Sequence, residues 1–157
     1  MYFSTKTFGP ISTGHRQWRA SELRDSSRCA WAHGYGRHVE LTFAADELDE
    51  RGWVVDFGGL RFVKAFLEDN WDHMLLLSSE DPLLEEFLEL EKKGGVKVNV
   101  MDATRGWGPG IEQSCKFVYD KVNPMIMGMT HDRCWVSKVQ IWEHENNSAI
   151  FEPGRPS

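Results

Sequence analysis

Two residues that can do chemistry lie four positions apart near the end of the first fifth of the chain. Cys29 and His33 flank the segment Ala30–Ala32, and a single turn can bring their side chains together. Such a pair can hold a metal ion, or can form a thiolate beside an imidazolium. The same spacing suits an unreactive buried thiol next to a loop histidine. Taken alone, the pair favours this second interpretation.

A second candidate is the dipeptide Asp72–His73, which follows an apolar segment with helical spacing. The carboxylate can orient the imidazole and fix its tautomer, as proton transfer requires. The alternative is an ordinary helix end, with His73 beside the last carbonyl groups of the helix. Taken alone, the dipeptide favours this alternative.

A third candidate is Glu143, which shares the parity of Val139 and Ile141 in a predicted strand. If those two residues are core, the carboxylate ends a buried row, where burial costs free energy unless a donor meets it. A guanidine-like ligand edge, with two parallel N–H donors, would satisfy the carboxylate. If the strand frays earlier, Glu143 is solvated instead.

The elements predicted around these residues indicate an α+β domain, with an antiparallel sheet and helices on one face. Residues 17–28 are polar and weakly patterned, which predicts a loop. Helical spacing begins at Leu60 and recurs at Pro109–Val122, and Asp81–Pro82 is a start signal for an acidic helix that ends at Lys93. Strands are predicted at Tyr2–Phe8 (ended by Gly9–Pro10), Val39–Phe43, Trp53–Val55, Val96–Val100, Trp135–Glu143 and Ala149–Glu152.

Composition limits the classes of function. A chain of 157 residues predicts one domain spanning 1–157. The net charge of −6, with no basic run, argues against a nucleic-acid partner. No apolar run approaches the length of about 20 residues that spans a membrane, and the N-terminus lacks a signal-like apolar core. Three cysteines without such a signal favour a reducing compartment, so we expect a cytoplasmic protein.

Taken in order, the candidate residues resemble the 6-pyruvoyl/6-carboxy-tetrahydropterin synthase family over nearly the whole chain. The resemblance implies the tunnelling fold: a four-stranded antiparallel sheet with two helices packed on one face, here with a short inserted acidic helix. It also implies a homo-oligomer, a trimer or hexamer, with sites between subunits. The matching segments are Ile11–Arg16, Cys29–Tyr35, Gly52–Leu60, Trp71–His73 and Gln140–Glu143.

The resemblance also implies a role for each matching residue. Cys29 would be the catalytic thiol, with Asp72 and His73 completing a proton relay. Glu143 would anchor a pterin by its 2-amino and N3 edge, with Glu112 as a second substrate-binding residue.

The activity implied is that of a lyase acting on 7,8-dihydroneopterin triphosphate. The Cys-x-x-x-His spacing of Cys29 and His33 resembles the branch that forms 6-carboxy-5,6,7,8-tetrahydropterin, a precursor of deazapurines such as queuosine. A pyruvoyl-forming or aldolase-like pterin enzyme is one alternative. A non-catalytic pterin-binding protein with an impaired zinc site is the other.

The implied cofactor is Zn²⁺, which would polarise the side-chain hydroxyls of the substrate. His15 and His33 would be two of three ligands, but Tyr35 stands where the family has the third histidine. A phenol is an uncommon zinc ligand, because its ordinary pKa is near 10. Three possibilities remain open: zinc held by His15, His33 and Tyr35, zinc completed by His38 or water, or no zinc.

A second departure from the family pattern is Gly110, which stands where the family has a threonine at the start of a helix. The hydroxyl that would cap that helix and lie near the pterin is therefore missing. Glu112, two residues later, is retained.

Overall fold

The computed structural model describes residues 1–23 and 27–157. Over these residues the α+β class predicted from the sequence is confirmed. Three α-helices are formed: α1 (Arg61–Trp71), α2 (Leu84–Lys92) and α3 (Ile111–Met129). The strands are β1 (Tyr2–His15), β2 (His33–Ala45), β3 (Met74–Ser78), β4 (Val98–Met101), β5 (Cys134–His144) and β6 (Asn147–Phe151).

The six strands form one mixed sheet in the order β4-β3-β1-β2-β5-β6. The pairs β1–β2, β2–β5 and β5–β6 are antiparallel, whereas β3 pairs parallel to both β1 and β4. The predicted four-stranded antiparallel sheet is therefore wrong. Of the six strands, only β3 has no counterpart among the strands predicted from the sequence, and every residue of β3 is buried. Strands buried on both faces lose the alternation that identifies a half-buried strand.

One hydrophobic core lies between the sheet and the two helices α1 and α3. The helices contribute Val63, Leu67 and Trp71 from α1 and Val118, Val122 and Ile126 from α3, among others. The alternating residues Val39, Leu41 and Phe43 of β2 are fully buried in this core, as their spacing predicted. Helix α2 is different, because none of its residues is buried, and it packs against β4.

Several boundaries differ from those predicted. Strand β1 continues through Gly9–Pro10 to His15, with a register shift between Phe8 and Ile11. Helix α3 extends past Pro124 to Met129. The predicted loop at 17–28 contains two 3-10 turns, Trp18–Glu22 and Arg28–Ala30, and its residues 24–26 lie outside the described part of the chain.

The predicted strand Trp53–Val55 is wrong for a physical reason. The backbone carbonyls of Trp53 and Val54 accept hydrogen bonds from the Arg133 guanidinium, at 3.3 and 2.9 Å, instead of joining a ladder. The side chain of Asp49 also accepts from the backbone N–H of Trp53. Side-chain partners thus fix this segment as a turn.

The start signal for the acidic helix is confirmed in part. The Asp81 carboxylate accepts a hydrogen bond from the backbone N–H of Leu83, at 2.9 Å, just before α2 begins at Leu84. The same buried carboxylate pairs with the Arg16 guanidinium at 2.8 Å. Asp81 therefore links the entry of α2 to the end of β1. Within the described residues, no helix has the length and apolar character needed to cross a membrane.

Truncating the buried side chain of Leu76 in β3 is expected to destabilise the domain strongly. Leu76 is fully buried in the core and lies opposite His15 in the parallel pairing of β1 and β3. We expect Leu76→Ala to lower the free energy of unfolding by about 2–5 kcal/mol. The measurement is urea denaturation at fixed protein concentration, with the half-exposed Leu90→Ala of α2 as a control expected within about 0.5 kcal/mol of wild type. Equal effects of the two substitutions would contradict the placement of β3 in the core.

Candidate functional site

Three predicted site residues come together where β1 ends and β2 begins. In the antiparallel pairing of these strands His15 lies opposite His33, and Thr13 lies opposite Tyr35. Because alternate residues of a strand share a face, His33 and Tyr35 both point toward His15. The Nε2 atoms of His15 and His33 are 3.1 Å apart, and the Tyr35 hydroxyl is 2.8 Å from His15 Nε2.

The two imidazoles are held through their other nitrogens by backbone carbonyls. His15 Nδ1 lies 2.8 Å from the Pro109 carbonyl oxygen, and His33 Nδ1 lies 2.6 Å from that of Trp31. Metal-binding histidines commonly use the second ring nitrogen in this way. Tetrahedral zinc with Zn–N bonds of about 2.0–2.1 Å separates two nitrogens by about 3.3 Å. The 3.1 Å between the two Nε2 atoms is close to this value, so the histidine pair fits two positions of a zinc site.

Tyr35 fits the third ligand position of a zinc site less well than the two histidines fit theirs. The Tyr35 hydroxyl is 3.2 Å from His15 Nδ1 as well as 2.8 Å from Nε2, and the two rings meet at 83°. Nearly equal distances to both nitrogens place the hydroxyl over the imidazole face rather than along the Nε2 lone pair. Burial, opposed by Arg37 and reinforced by Glu143, raises the pKa of Tyr35 to about 12. The described residues contain no group of three His, Cys, Asp or Glu side chains that could hold a metal.

Sequence reasoning missed Arg37, which is fully buried beside the histidine pair. Its guanidinium donates to Ser114 Oγ at 2.9 Å and to the Pro109 carbonyl at 2.5 Å, and lies 5.0 Å from the centre of the Trp71 ring. Among the described residues it forms no ion pair with a carboxylate. The sequence did contain a signal for the burial of Arg37. This residue lies two positions before the buried Val39, so both residues share one face of β2.

The surroundings keep His15 uncharged. Burial, assisted by the charge of Arg37 and by His33, lowers the pKa of His15 to about 4, although the Pro109 carbonyl opposes the shift. His15 is therefore neutral near pH 7, with one nitrogen free to act as an acceptor or ligand.

Glu143 lies in β5 on the same face as Val139 and Ile141, as the alternation of the strand predicted. Val139 and Ile141 are fully buried, and β5 continues to His144, so the strand does not fray before the carboxylate. Partial burial would raise the pKa of Glu143. Hydrogen bonding from Asn147 and Tyr35 and the proximity of His15 outweigh that effect and hold the pKa below its ordinary value.

A cleft of about 460 Å³ adjoins this carboxylate and is lined in part by Tyr35, His38 and Trp142. Tyr35 thus connects the cleft to the histidine pair. His38 is exposed and lies on the opposite face of β2 from the buried Arg37, as the sequence predicted for a regular strand.

The predicted proton-transfer residues are exposed and separate into two groups. The Asp72 carboxylate lies 3.0 Å from His73 Nδ1, so the two side chains of this dipeptide are in contact. The His73 backbone N–H donates to the Ser12 carbonyl at 2.7 Å, which places the pair beside β1. Within the part of the chain that the structure describes, no hydrogen bond joins Cys29 to either residue.

Cys29 is exposed, and its turn is fixed by contacts with the residues that follow His15. The Cys29 carbonyl accepts from the backbone N–H of Gln17 at 2.9 Å, and the Arg16 guanidinium donates to the Ala30 carbonyl at 2.5 Å. Arg16 is itself held by the buried Asp81. The thiol is therefore carried by a turn that is anchored next to the histidine pair.

Glu112 lies in the first turn of α3, two residues after Gly110. A Cβ atom at Gly110 would meet Gln17 Oε1 at 3.2 Å and Glu112 Oε2 at 3.4 Å. The Gln17 amide therefore occupies the space next to this glycine. Gly110 is directly preceded by Pro109, whose carbonyl contacts His15. The start of α3 therefore lies next to the histidine pair.

A larger cleft, of about 560 Å³, lies between the start of β1 and the turn that precedes α1. It is lined mainly by apolar side chains such as Tyr2, Trp53 and Phe57, and it contains none of the predicted site residues. Its carboxylate, Asp56, accepts a hydrogen bond from the backbone N–H of Gly58, as part of the turn. We therefore place the candidate site at the histidine pair and the Glu143 cleft.

Comparisons with known proteins match almost the whole chain. The family model described as 6-pyruvoyl tetrahydropterin synthase matches residues 5–154. A relative from Rickettsia bellii, named 6-carboxy-5,6,7,8-tetrahydropterin synthase, is 36% identical over 137 residues, which cover 87% of this chain and 90% of the relative. A relative of the same name from Aquifex aeolicus is 26% identical and covers 94% and 96% of the two chains.

Solved structures support the fold. An uncharacterised protein from Wolinella succinogenes superposes with a TM-score of 0.79, at 21% identity over 98% of both chains. The 6-pyruvoyl tetrahydropterin synthase of Caenorhabditis elegans superposes with a TM-score of 0.60, at 17% identity and the same coverage.

Proposed function

The chain belongs to the 6-pyruvoyl tetrahydropterin synthase family, and we propose that it converts 7,8-dihydroneopterin triphosphate into 6-carboxy-5,6,7,8-tetrahydropterin. The relatives named for this product support the proposed activity. The observation that carries it is the arrangement of the site. A carboxylate in an open cleft is linked through one tyrosine to the histidine pair His15 and His33.

In this proposal Glu143 binds the pterin. Its lowered pKa keeps the carboxylate ionised at neutral pH, with Asn147 and the Tyr35 hydroxyl as its hydrogen-bond donors. An ionised carboxylate accepts two parallel N–H bonds, which the 2-amino and N3 edge of a pterin provides. Glu112, at the start of α3 on the other side of Pro109, is the second proposed substrate-binding residue.

Proton transfer is assigned to Cys29, Asp72 and His73. The Asp72 carboxylate holds His73 at Nδ1, which leaves Nε2 free to take or give a proton. Both this pair and the Cys29 thiol are open to solvent and to ligands. The other two thiols are unsuited to this role, because burial raises the pKa of Cys115 to about 12 and of Cys134 to about 11.

The proposed zinc ligands are His15, His33 and Tyr35. Zinc would supply a Lewis acid that polarises the side-chain hydroxyls of the substrate. The histidine pair supports this assignment through its spacing and its carbonyl contacts. Tyr35 would have to turn from the face of His15 toward Nε2, and its high pKa predicts weak zinc binding.

The wider context of the reaction is proposed from the same resemblance. The product would serve deazapurine (queuosine) synthesis in the cytoplasm. A homo-oligomer, a trimer or hexamer, would complete the site between subunits. The two edge strands of the sheet support assembly, because Val100 of β4 and Ile150 of β6 are both exposed.

One alternative has a specific observation in its favour. A non-catalytic pterin-binding protein would need Glu143 and its cleft but no metal, and the high pKa of Tyr35 and the buried cation Arg37 both disfavour a metal ion. A pyruvoyl-forming or aldolase-like enzyme is the other alternative, and only the product distinguishes it.

The test is product analysis with the zinc-supplemented protein and 7,8-dihydroneopterin triphosphate. We expect 6-carboxy-5,6,7,8-tetrahydropterin by chromatography and mass spectrometry. We expect Glu143→Gln to raise KM by about 10–100-fold, since a hydrogen bond to a charged group contributes about 1.5–3 kcal/mol. Glu152→Gln, at an exposed site near the C-terminus, is the control and should behave as wild type. A pyruvoyl product, or pterin binding without turnover, would replace the proposal with the corresponding alternative.

A further inference from the structure

A cleft of about 410 Å³ between β1 and the start of α1 carries an excess of positive charge. Its cations are Lys6 of β1 and Arg61 and Lys64 of α1, and no carboxylate lines it. The chain as a whole has the opposite balance, with 24 acidic side chains, 18 basic ones and a net charge of −6. The positive charge of this cleft, called the basic cleft below, is therefore a local feature and not a consequence of composition.

Two of the three cations have no counterion. Within residues 1–23 and 27–157, neither Lys6 nor Arg61 forms an ion pair. The Lys6 ammonium lies 5.7 Å from the centre of the Phe8 ring and 5.8 Å from that of Phe57, so two aromatic rings hold it at the cleft. Lys64 lies 3.7 Å from an acidic side chain one helical turn away, but both partners are largely exposed, and such pairs contribute little. All three cations are thus available to an anion.

The neighbouring carboxylates face other clefts. Asp56 accepts a hydrogen bond from the backbone N–H of Gly58 at 2.9 Å and lines the larger apolar cleft. Glu68, the partner of Lys64, lines the next cleft along α1. Ammonium and guanidinium groups around one cleft, without an acid among them, favour a ligand with several negative charges. Phosphate groups are the usual ligands of such cations in proteins.

The basic cleft adjoins both parts of the candidate site. It shares Thr7 with the Glu143 cleft. It shares three residues, including Lys64, with a cleft of about 310 Å³ that is also lined by Asp72. Lys64 precedes Asp72 by eight residues, or about 12 Å along the axis of α1. A short carbon chain that ends in three phosphates can bridge this separation.

The cations nearest the histidine pair are already committed to protein groups. Arg37 is fully buried and donates to Ser114 and the Pro109 carbonyl. Arg16 pairs with the buried Asp81. A polyphosphate in this region therefore needs cations from elsewhere. Arg28, exposed beside Cys29, is the one competitor to the basic cleft that the described residues offer close to the thiol.

We propose that the basic cleft binds a polyphosphate group, and that its occupant is the triphosphate of the substrate in the proposed reaction. Lys6, Arg61 and Lys64 donate to the phosphate oxygens and hold the leaving group next to the cleft of Asp72. The inference rests on the proposed function only in naming this occupant. A free polyphosphate, such as the released triphosphate, has the same chemistry, and the experiments separate the two.

The first experiment measures the binding of inorganic tripolyphosphate by titration calorimetry, without added divalent metal. The variant combines Lys6→Met, Arg61→Met and Lys64→Met, which keep an unbranched side chain and remove the charge. We expect binding about 10–100-fold weaker than in wild type, the combined effect of three ion pairs that are open to solvent. The matched control combines Lys92→Met, Lys93→Met and Lys97→Met, three exposed lysines on and after α2, and should bind as wild type.

A second variant separates charge from packing. Lys6→Arg, Arg61→Lys and Lys64→Arg keep all three charges while changing the side chains, so this variant should retain tripolyphosphate binding. Urea denaturation checks that each variant is folded. Wild-type binding in the folded methionine variant, or equal weakening in that variant and its control, would overturn the proposal.

The occupant is identified by comparing two pterins. The methionine variant should raise KM for 7,8-dihydroneopterin triphosphate by a similar factor, and should leave the equilibrium binding of 7,8-dihydroneopterin, which has no phosphate, unchanged. Tripolyphosphate should compete with the substrate. An unchanged KM together with lost tripolyphosphate binding would assign the cleft to a free polyphosphate.

Arg28→Met tests the competing position. If this substitution raises KM for the triphosphate substrate and the methionine variant of the basic cleft does not, the triphosphate lies beside Cys29 and its assignment to the basic cleft is overturned. If no variant and no wild-type protein forms product, yet tripolyphosphate binding depends on the basic cleft, the proposed function fails and the polyphosphate site stands.

Discussion

Replacing Cys29 by alanine is expected to lower kcat by about 10²–10⁴-fold, the usual contribution of a general acid or base. The thiol is exposed, on a turn whose backbone is held by Gln17 and Arg16. Its removal should therefore leave the free energy of unfolding within about 0.5 kcal/mol of wild type. Pterin binding should persist as well, because the proposed anchor Glu143 lies on β5, whereas Cys29 lies in the 3-10 turn Arg28–Ala30. The measurements are steady-state turnover, equilibrium binding of the pterin and urea denaturation.

The chain contains its own controls for this experiment. Cys134 is fully buried, with a raised pKa, so Cys134→Ala should cost some stability but retain turnover. Iodoacetamide should modify Cys29 well before the two buried thiols, and turnover should fall in step with that modification. Full activity of the alkylated protein, or loss of the folded state in Cys29→Ala, would assign Cys29 a structural role instead.

Local hydrophobic patterns in the sequence were sufficient to predict those helices and strands that bury only one face. The alternation of Val39, Leu41 and Phe43 predicted β2, and the spacing from Leu60 predicted α1. Strand β3 has no such alternation, because both of its faces are covered. The segment at 53–55 has the residue types of a strand, but a distant guanidinium, that of Arg133, takes its carbonyls. Neither effect is visible in a local window of sequence.

Part of the candidate site could be predicted from the sequence, because alternate residues of a strand lie on the same face. Parity places His33 and Tyr35 on one face, and Glu143 in line with the buried Ile141, as found. The contact between His15 and His33 depends on the pairing register of β1 and β2, which the sequence did not specify. Parity alone also marks Arg37 as a charge on the buried face of β2. The groups that contact its guanidinium come from α1, α3 and Pro109, so these contacts became clear only in three dimensions.

Replacing Tyr35 by histidine is expected to give the site a strong third zinc ligand. At pH 7, deprotonating a phenol with a pKa of about 12 costs roughly five pKa units, or about 7 kcal/mol, before any gain from the metal. A neutral imidazole requires no such step, and three histidines with an open fourth position form a common catalytic zinc site. We therefore expect zinc affinity to rise at least about 100-fold, or about 2.7 kcal/mol. Titration against a chelator and the metal content of the dialysed protein measure this.

The result also shows how the wild-type site works. Tyr2→Ala and Tyr2→His, at an exposed position on β1, control for removing a phenol and for adding an imidazole elsewhere on the strand. If dialysed wild type retains near one zinc per chain, Tyr35 acts as a ligand despite its high pKa, and the lyase assignment keeps its metal. If only Tyr35→His retains zinc and also forms more product, the wild-type site has the histidine pair and the pterin anchor but lacks a third donor.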